Sequence, residues 1–185
     1  MKTKQFIITI ILLGLMVSPM YAKGGKGNGV GGGSTTPVLT ETEASDLIFL
    51  REEEKLARDV YLAMFDLWGT QIFVNISVSE QRHMDSVKSL IDKYGLEDPI
   101  VDDTPGVFTN PALAQKYTEL ITQGSISLKD ALDVGVIIEE MDIHDIEVEM
   151  LPDATKTDII RVLTNLLAGS YNHLDAFERS LSALP

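Results

Sequence analysis

The sequence predicts an all-α fold, a four-helix bundle with a long crossover connection between the second and third long helices that carries a short extra helix. Three observations predict it. Four stretches repeat their apolar residues at alternating steps of three and four, the spacing of one helix face. Capping or helix-stopping residues bound these stretches, and nothing in the chain reads as a sheet.

The first helix opens with Thr40 and Glu43, a capping-box pair, and carries Leu47, Leu50, Ala57, Tyr61 and Met64 on one seam, with Glu54 filling the gap in the series. Gly69 ends it after about 27 residues. The second begins near Thr70 and places Ile76, Glu80, His83, Val87, Leu90 and Tyr94 in register until Gly95. From Leu96 to Ile126 no period is sustained, and Pro99, Pro105, Gly106, Pro111 and Gly124 mark a long connection in which Asn110 and Pro111 start a short helix through about Gln123. A third long helix is expected from about Ser127 to Met150, with Leu128, Leu132, Gly135, Glu139, Asp142 and Ile146 in register and Pro152 after it. The fourth, capped by Asp153 or Thr155, aligns Ile159, Leu163, Leu166, Ser170, His173 and Phe177 and reaches about Leu181. A short turn, a long connection and a short turn suit a bundle with one crossover, and an up-down bundle with a loop insertion fits the same pattern.

Before these helices, Lys2 and Lys4 precede an apolar run from Phe6 to Met16, followed by Ser18, Pro19 and Ala22, the pattern of a secretory signal peptide over residues 1–22. Met20 departs from the small residue preferred before a cut after Ala22, so an uncleaved tether through residues 6–20 is the alternative. The run is short for a membrane span. Residues 23–39 begin KGGKGNGVGGG and read as a Gly-rich flexible linker, leaving 40–185 as the folded domain. Export permits disulfides, yet the chain has no cysteine. It therefore offers no thiolate for an iron–sulfur cluster, a cysteine-ligated iron centre or a cysteine nucleophile. The net charge is −13, and without Lys2 and Lys4 it is −15, with 13 basic against 28 acidic side chains. Such a surface repels nucleic-acid phosphates and attracts cations.

Glu54, Glu80, His83, Glu139, Asp142 and His173 all occupy seam positions, each roughly halfway along its helix. An uncompensated buried ion costs several kcal/mol, so one such residue near a bundle rim is tolerable and six at one level call for a cation. Two divalent cations balance four carboxylates, and two imidazoles add neutral nitrogen ligands. Glu80 and His83 are three apart on one face, so one helix offers both a carboxylate able to bridge two metals and an imidazole able to terminate one. A Glu-x-x-His pair by itself is a weak motif, and only its place between Ile76 and Val87 gives it weight. Glu54 competes with Glu52 and Glu53, but Arg51 and Lys55 do not share its stripe. Glu140 lies about 100° around the helix from Glu139. Asp142 is either a ligand or a partner of Arg58. Tyr61, Met64, Met84 and Met141 read most simply as packing residues, and His144 as a solvated surface residue.

Glu54, Ala57, Arg58 and Tyr61 form Glu-x-x-Ala-Arg-x-x-Tyr, which resembles the first helix of rubrerythrin-type ferritin-like proteins. Glu80-x-x-His83, Glu139-x-x-Asp142 and His173 are similar to their later ligand motifs. The strings EEEKLARDVY, SEQRHM, IEEMDIHD and SYNHLDAF resemble more closely an uncharacterised ferritin-like branch called domain of unknown function 2202, over about residues 45–182. The resemblance implies a ferritin-like four-helix bundle with a di-iron carboxylate centre ligated by Glu54, Glu80, His83, Glu139, Asp142 and His173, with Tyr61 beside it. Manganese or zinc are the alternative metals. The chain departs from the superfamily pattern at Ser170, where Glu-x-x-His would put a carboxylate.

The leading expectation is an exported dimetal protein that oxidises ferrous iron with oxygen or peroxide, or reduces peroxide. Without cysteine it has no electron-supplying domain of its own and needs an external donor. A metal-binding or storage module without turnover is the second expectation, and an interaction bundle without metal the third. A homo-oligomer is compatible with each.

Overall fold

The computed structural model describes Val38–Pro185. The expected signal peptide and most of the Gly-rich linker lie outside the described residues. Among those residues there is helix and no strand: α1 (Glu41–Trp68), α2 (Gln71–Tyr94), α3 (Pro111–Gly124), α4 (Leu128–His144) and α5 (Thr157–Ser182). None of them is long and apolar enough to cross a membrane.

Local chemistry fixes most of the helix ends. The Thr40 hydroxyl accepts from the Glu43 amide while the Glu43 carboxylate accepts from the Thr40 amide, each at 3.0 Å, so the capping box is closed. Gly69 and Gly95 stop α1 and α2 at φ values of 63° and 71°, a left-handed backbone that glycine adopts without steric cost. The Asn110 side chain accepts from Ala112 N at 2.9 Å and Pro111 begins α3.

Two ends differ from expectation. The third long helix keeps α-helical geometry only to His144, and Asp145–Met150 continues it as a π-helical turn before the chain leaves at Leu151. Neither Asp153 nor Thr155 caps α5. Its N-cap is Lys156, which makes no side-chain cap bond, because Glu43 of α1 takes the local donors: Oε1 accepts from Thr155 N at 2.7 Å, Thr155 Oγ1 at 2.7 Å and Lys156 N at 3.2 Å. A carboxylate distant in sequence replaces the local cap.

The interior has two apolar clusters. One joins the C-terminal half of α1, the N-terminal halves of α2 and α4, and the end of α5, around Tyr61, Phe73, Ile138 and Phe177. The other joins Leu47 and Leu50 of α1, Val87 and Ile91 of α2, Ile146 and Met150 of the π turn, and Ile159, Leu163 and Leu166 of α5. These shared halves make α1 and α5 run one way and α2 and α4 the other. The crossover therefore exists because two helices of like direction cannot be joined by a short turn. At Gly135, α4 comes so near α5 that a Cβ would sit 2.5 Å from the Phe177 ring.

The crossover is not a loose loop. It lies over α1, which is buried on every side from Leu50 to Tyr61. Arg51 forks onto Asp98 with two 3.2 Å bonds, and Glu52 accepts from Thr109 N at 2.5 Å and Asn110 N at 3.0 Å. Lys55, fully buried, bonds Asp59 at 2.5 Å and Thr104 O at 3.0 Å, and its ammonium stands 4.7 Å from the centre of the Phe108 ring. Arg58 reaches Asp103 at 2.7 Å and Gln81 at 2.7 Å, and Asp59 accepts from Gly106 N at 3.0 Å. Charges spaced along the outer face of α1 thus find their partners in the connection.

Candidate metal centre

A polar layer separates the two apolar clusters. α1 contributes Glu53 and Glu54 to it, α2 Glu80 and His83, α4 Glu139 and Asp142, and α5 Ser170 and His173, each flanked along its helix by residues of the two clusters. Helical register explains the level, since each residue continues the apolar stripe of its own helix.

Glu80 sits at the middle of this layer. Its Oε2 is 2.8 Å from His83 Nδ1 and its Oε1 is 2.8 Å from His173 Nδ1. His83 Nδ1 also pairs with Glu54 Oε2 at 3.2 Å, and His173 Nδ1 lies 3.4 Å from Glu139 Oε2. Two triads result, Glu54–Glu80–His83 and Glu80–Glu139–His173, each offering three ligand atoms that lie within 4.8 Å of one another. Glu80 belongs to both. The two imidazoles lie face to face, their ring centres 5.7 Å apart. The Tyr61 hydroxyl donates to Glu139 Oε1 at 2.6 Å and so orients the second triad.

The donor atoms are under-satisfied. Both Glu80 oxygens, Glu54 Oε1, Glu139 Oε2, both Asp142 oxygens and His173 Nδ1 are buried without a hydrogen-bond partner. The 2.8 Å approaches to Glu80 are thus close but not aligned as hydrogen bonds. Native interiors leave few such groups unmatched. Convergent lone pairs of carboxylate and imidazole suit a divalent transition metal, and the donor set fits a pair of such ions sharing Glu80.

Electrostatics agree with the geometry. Burial pushes the Glu54 and Glu139 carboxyls upward, opposed by His83 and His173 respectively and reinforced by the Glu80 charge. Burial would also raise Glu80, but its contacts with His173 and His83 hold it low. Burial disfavours the imidazolium form of both histidines, yet the facing carboxylates raise His83 to about 10 and His173 to about 9. The facing carboxylates thus favour the protonated imidazoles, and a bound cation would displace those protons.

Of the six residues singled out by sequence, five fall into the triads and Asp142 into neither. Asp142 is nonetheless buried beside them, its carboxyl pushed well up by burial and by the charges of Glu53, Glu54, Glu139 and Glu80. It does not pair with Arg58, whose partners are Asp59, Asp103 and Gln81. Ser170 is buried, and its hydroxyl donates to Leu166 O of its own helix at 3.2 Å and does not bond a ligand. His144 is exposed and pairs with Asp145 at 3.1 Å.

Two residues outside the expected ligand set also adjoin the layer. Glu53 was one of three adjacent acids, and all three are buried: Glu52 holds the connection, Glu54 joins a triad, and Glu53 faces the layer with neither oxygen partnered. Gly169 is the other. A Cβ there would lie 2.7 Å from His83 Nε2, so the missing side chain makes room for the ring. Its place one residue before Ser170, opposite the Glu80–His83 helix, was the available signal.

The uncharacterized protein MJ0754 of Methanocaldococcus jannaschii is 48% identical over 144 residues, spanning 78% of this chain and 77% of its own. The crystal structure of MJ0754 superposes with a TM-score of 0.77 at 47% identity, covering 79% of this chain and 83% of that one. A DUF305 fragment from Deinococcus radiodurans, 14% identical, shares the fold with a TM-score of 0.59 over 80% of this chain and all of its own. Residues 43–183 match the family described as Uncharacterized protein domain (DUF2202), and the chain belongs to that family.

Proposed function

We propose that this chain is an exported metalloprotein whose long helices take the ferritin-like four-helix arrangement and hold two iron ions, used to oxidise ferrous iron or to reduce peroxide. One observation carries the reading: Glu80 presents each carboxylate oxygen to a different imidazole at 2.8 Å, so a single buried side chain belongs to both sets of residues that would hold the metals. Glu54 and His83 would complete one side, and Glu139 and His173 the other. A pair of ferrous ions held there would supply the two electrons that, with two protons, convert peroxide to two waters.

The chain's own residues define the rest of the site. Tyr61 fixes Glu139 by donating to it, so the carboxylate keeps one orientation. The apolar clusters flank the layer above and below. The two imidazoles are its least buried members, with 11% and 12% of their side-chain surface exposed against none for Glu54, Glu80 and Glu139. A small oxidant therefore meets the layer on the α2–α5 side. With no cysteine in the chain, reducing equivalents come from ferrous iron or from a separate donor. The signal-like segment before residue 23 supports export.

A metal-binding module without turnover is the second reading, favoured by Ser170, which leaves α5 without a carboxylate in the layer. Purification without chelator, counting of metal per chain, and comparison with a Glu80→Ala/His83→Ala variant test both. Two irons in the wild type, lost in the variant, together with ferrous oxidation faster than in buffer, are expected. Iron bound without faster oxidation leaves the module reading. No metal bound under iron, manganese or zinc loading would overturn both.

A further inference from the structure

The α2–α5 side of the layer is its least covered side. The connection lies over the outer face of α1, and α3 packs on both α1 and α4. α4 meets α5 so closely at Gly135 that a Cβ there would strike the Phe177 ring. α2 and α5, by contrast, pack on each other less closely than α1 packs on α2 or α4 on α5. A groove of about 500 Å³ runs between them, lined by Ile72, Asn75 and Ile76 of α2 and by Ala176, Arg179 and Ser180 of α5.

The inner end of this groove adjoins the second triad. Ile76 precedes Glu80 by four residues and Ala176 follows His173 by three, so each shares a helix face with a member of Glu80–Glu139–His173. Burial deepens in that direction: Asn75 and Arg179 at the rim are exposed, whereas Ile76 is 6% exposed. His83 and His173, the triad members with exposed side-chain surface, belong to the same two helices.

The lining favours uncharged molecules. Among the described residues no carboxylate lines the groove, and Arg179 is paired with Asp175 outside it. A hydrated divalent ion would lose water against Ile72, Ile76 and Ala176 with no anion to replace it, whereas an uncharged molecule meets no such barrier. In a chain of net charge −13, cations have acidic surface elsewhere to follow.

We propose that the α2–α5 groove is the route by which a small uncharged oxidant, hydrogen peroxide or dioxygen, reaches the Glu80–Glu139–His173 triad, and that Ala176 sets its width. Metal ions load by another path. The proposal rests on the dimetal reading of the layer and adds to it the way in.

Two measurements on the full chain test it. In the metal-free protein, paramagnetic relaxation by dissolved dioxygen is expected to be stronger at the methyl groups of Ile76 than at those of Leu90, which lies on the same helix and is 5% exposed. Equal relaxation at the two would overturn the route. In the iron-loaded protein, Ala176→Phe is expected to slow oxidation by hydrogen peroxide or by dioxygen by about tenfold or more, as steric filling of an apolar passage does, with the count of bound iron and the rate of iron uptake unchanged. A slowing with only one oxidant names the one the groove carries. Unchanged oxidation with both, or an equal slowing of iron uptake, would overturn the proposal. Should Ala176→Phe not fold, Ser180→Leu gives the same readouts. A wild type that binds no iron registers the failure of the dimetal reading, and of delivery to it, separately from the relaxation contrast, which needs no metal.

Discussion

Gly169 stands against the His83 ring so closely that a Cβ at that position would lie 2.7 Å from Nε2 and 2.8 Å from Cε1. The ring cannot easily retreat, because its other nitrogen is held by Glu80 at 2.8 Å and Glu54 at 3.2 Å. Glycine is a poor helix former, about 1 kcal/mol worse than alanine, so its place within α5 has a packing reason.

Gly169→Ala should therefore weaken metal binding by roughly tenfold or more through displacement of His83, an effect of the size seen when ligand orientation is disturbed. Co²⁺ titration followed by its visible absorption measures it. In a His83→Ala background the same substitution should raise Tm, since only the helix-propensity gain remains.

Tyr61→Phe removes the donor to Glu139 Oε1 and leaves a buried carboxylate oxygen bare. The expected cost is about 1–3 kcal/mol of stability without metal. Thermal melting with and without Mn²⁺ should find the deficit reduced by metal, because the cation gives Glu139 a new partner.

Lys55→Met should destabilise the fold by about 3–5 kcal/mol, since it leaves Asp59 buried with one cation fewer and frees Thr104 O of its bond. Arg51→Met, which breaks a pair whose Asp98 side chain is 23% exposed, should cost only about 1 kcal/mol. Chemical denaturation of the two variants separates them, and equal losses would show that the connection is not anchored through Lys55.

Glu43 contributes to stability in a way that acid removes. Burial raises its carboxyl, but bonds from Thr40 and Thr155 and the charge of Lys156 outweigh it and lower it from 4.5 to about 2. A group depressed in the folded state contributes stability that is fully present above its unfolded value and lost as pH falls through its folded one. The wild type should therefore lose this contribution between pH 4.5 and about 2. Glu43→Gln should melt lower than the wild type at neutral pH, by about 1–3 kcal/mol, and the two melting curves should converge toward the acid end of that window.

By itself the sequence determined what depends on neighbours a few residues apart. Thr40 with Glu43, Gly69, Gly95 and Asn110 with Pro111 act within one turn of chain, and the helix ends they announce are where the chain turns. The three-and-four spacing likewise determined that Glu54, Glu80, His83, Glu139, Asp142 and Ser170 face inward, because a stripe continues across a polar residue as readily as across leucine. Tertiary structure decided everything that needs a second surface. Glu53, Lys55, Arg58 and Asp59 lie off the stripe, yet all four are buried, the last three bonded to the connection. Glu43 caps a helix that begins more than a hundred residues later, and Asp142 takes its surroundings from Glu53 of another helix, not from Arg58. Periodicity reports one face of one helix, whereas the partner of a charge is set by which distant segment folds over it.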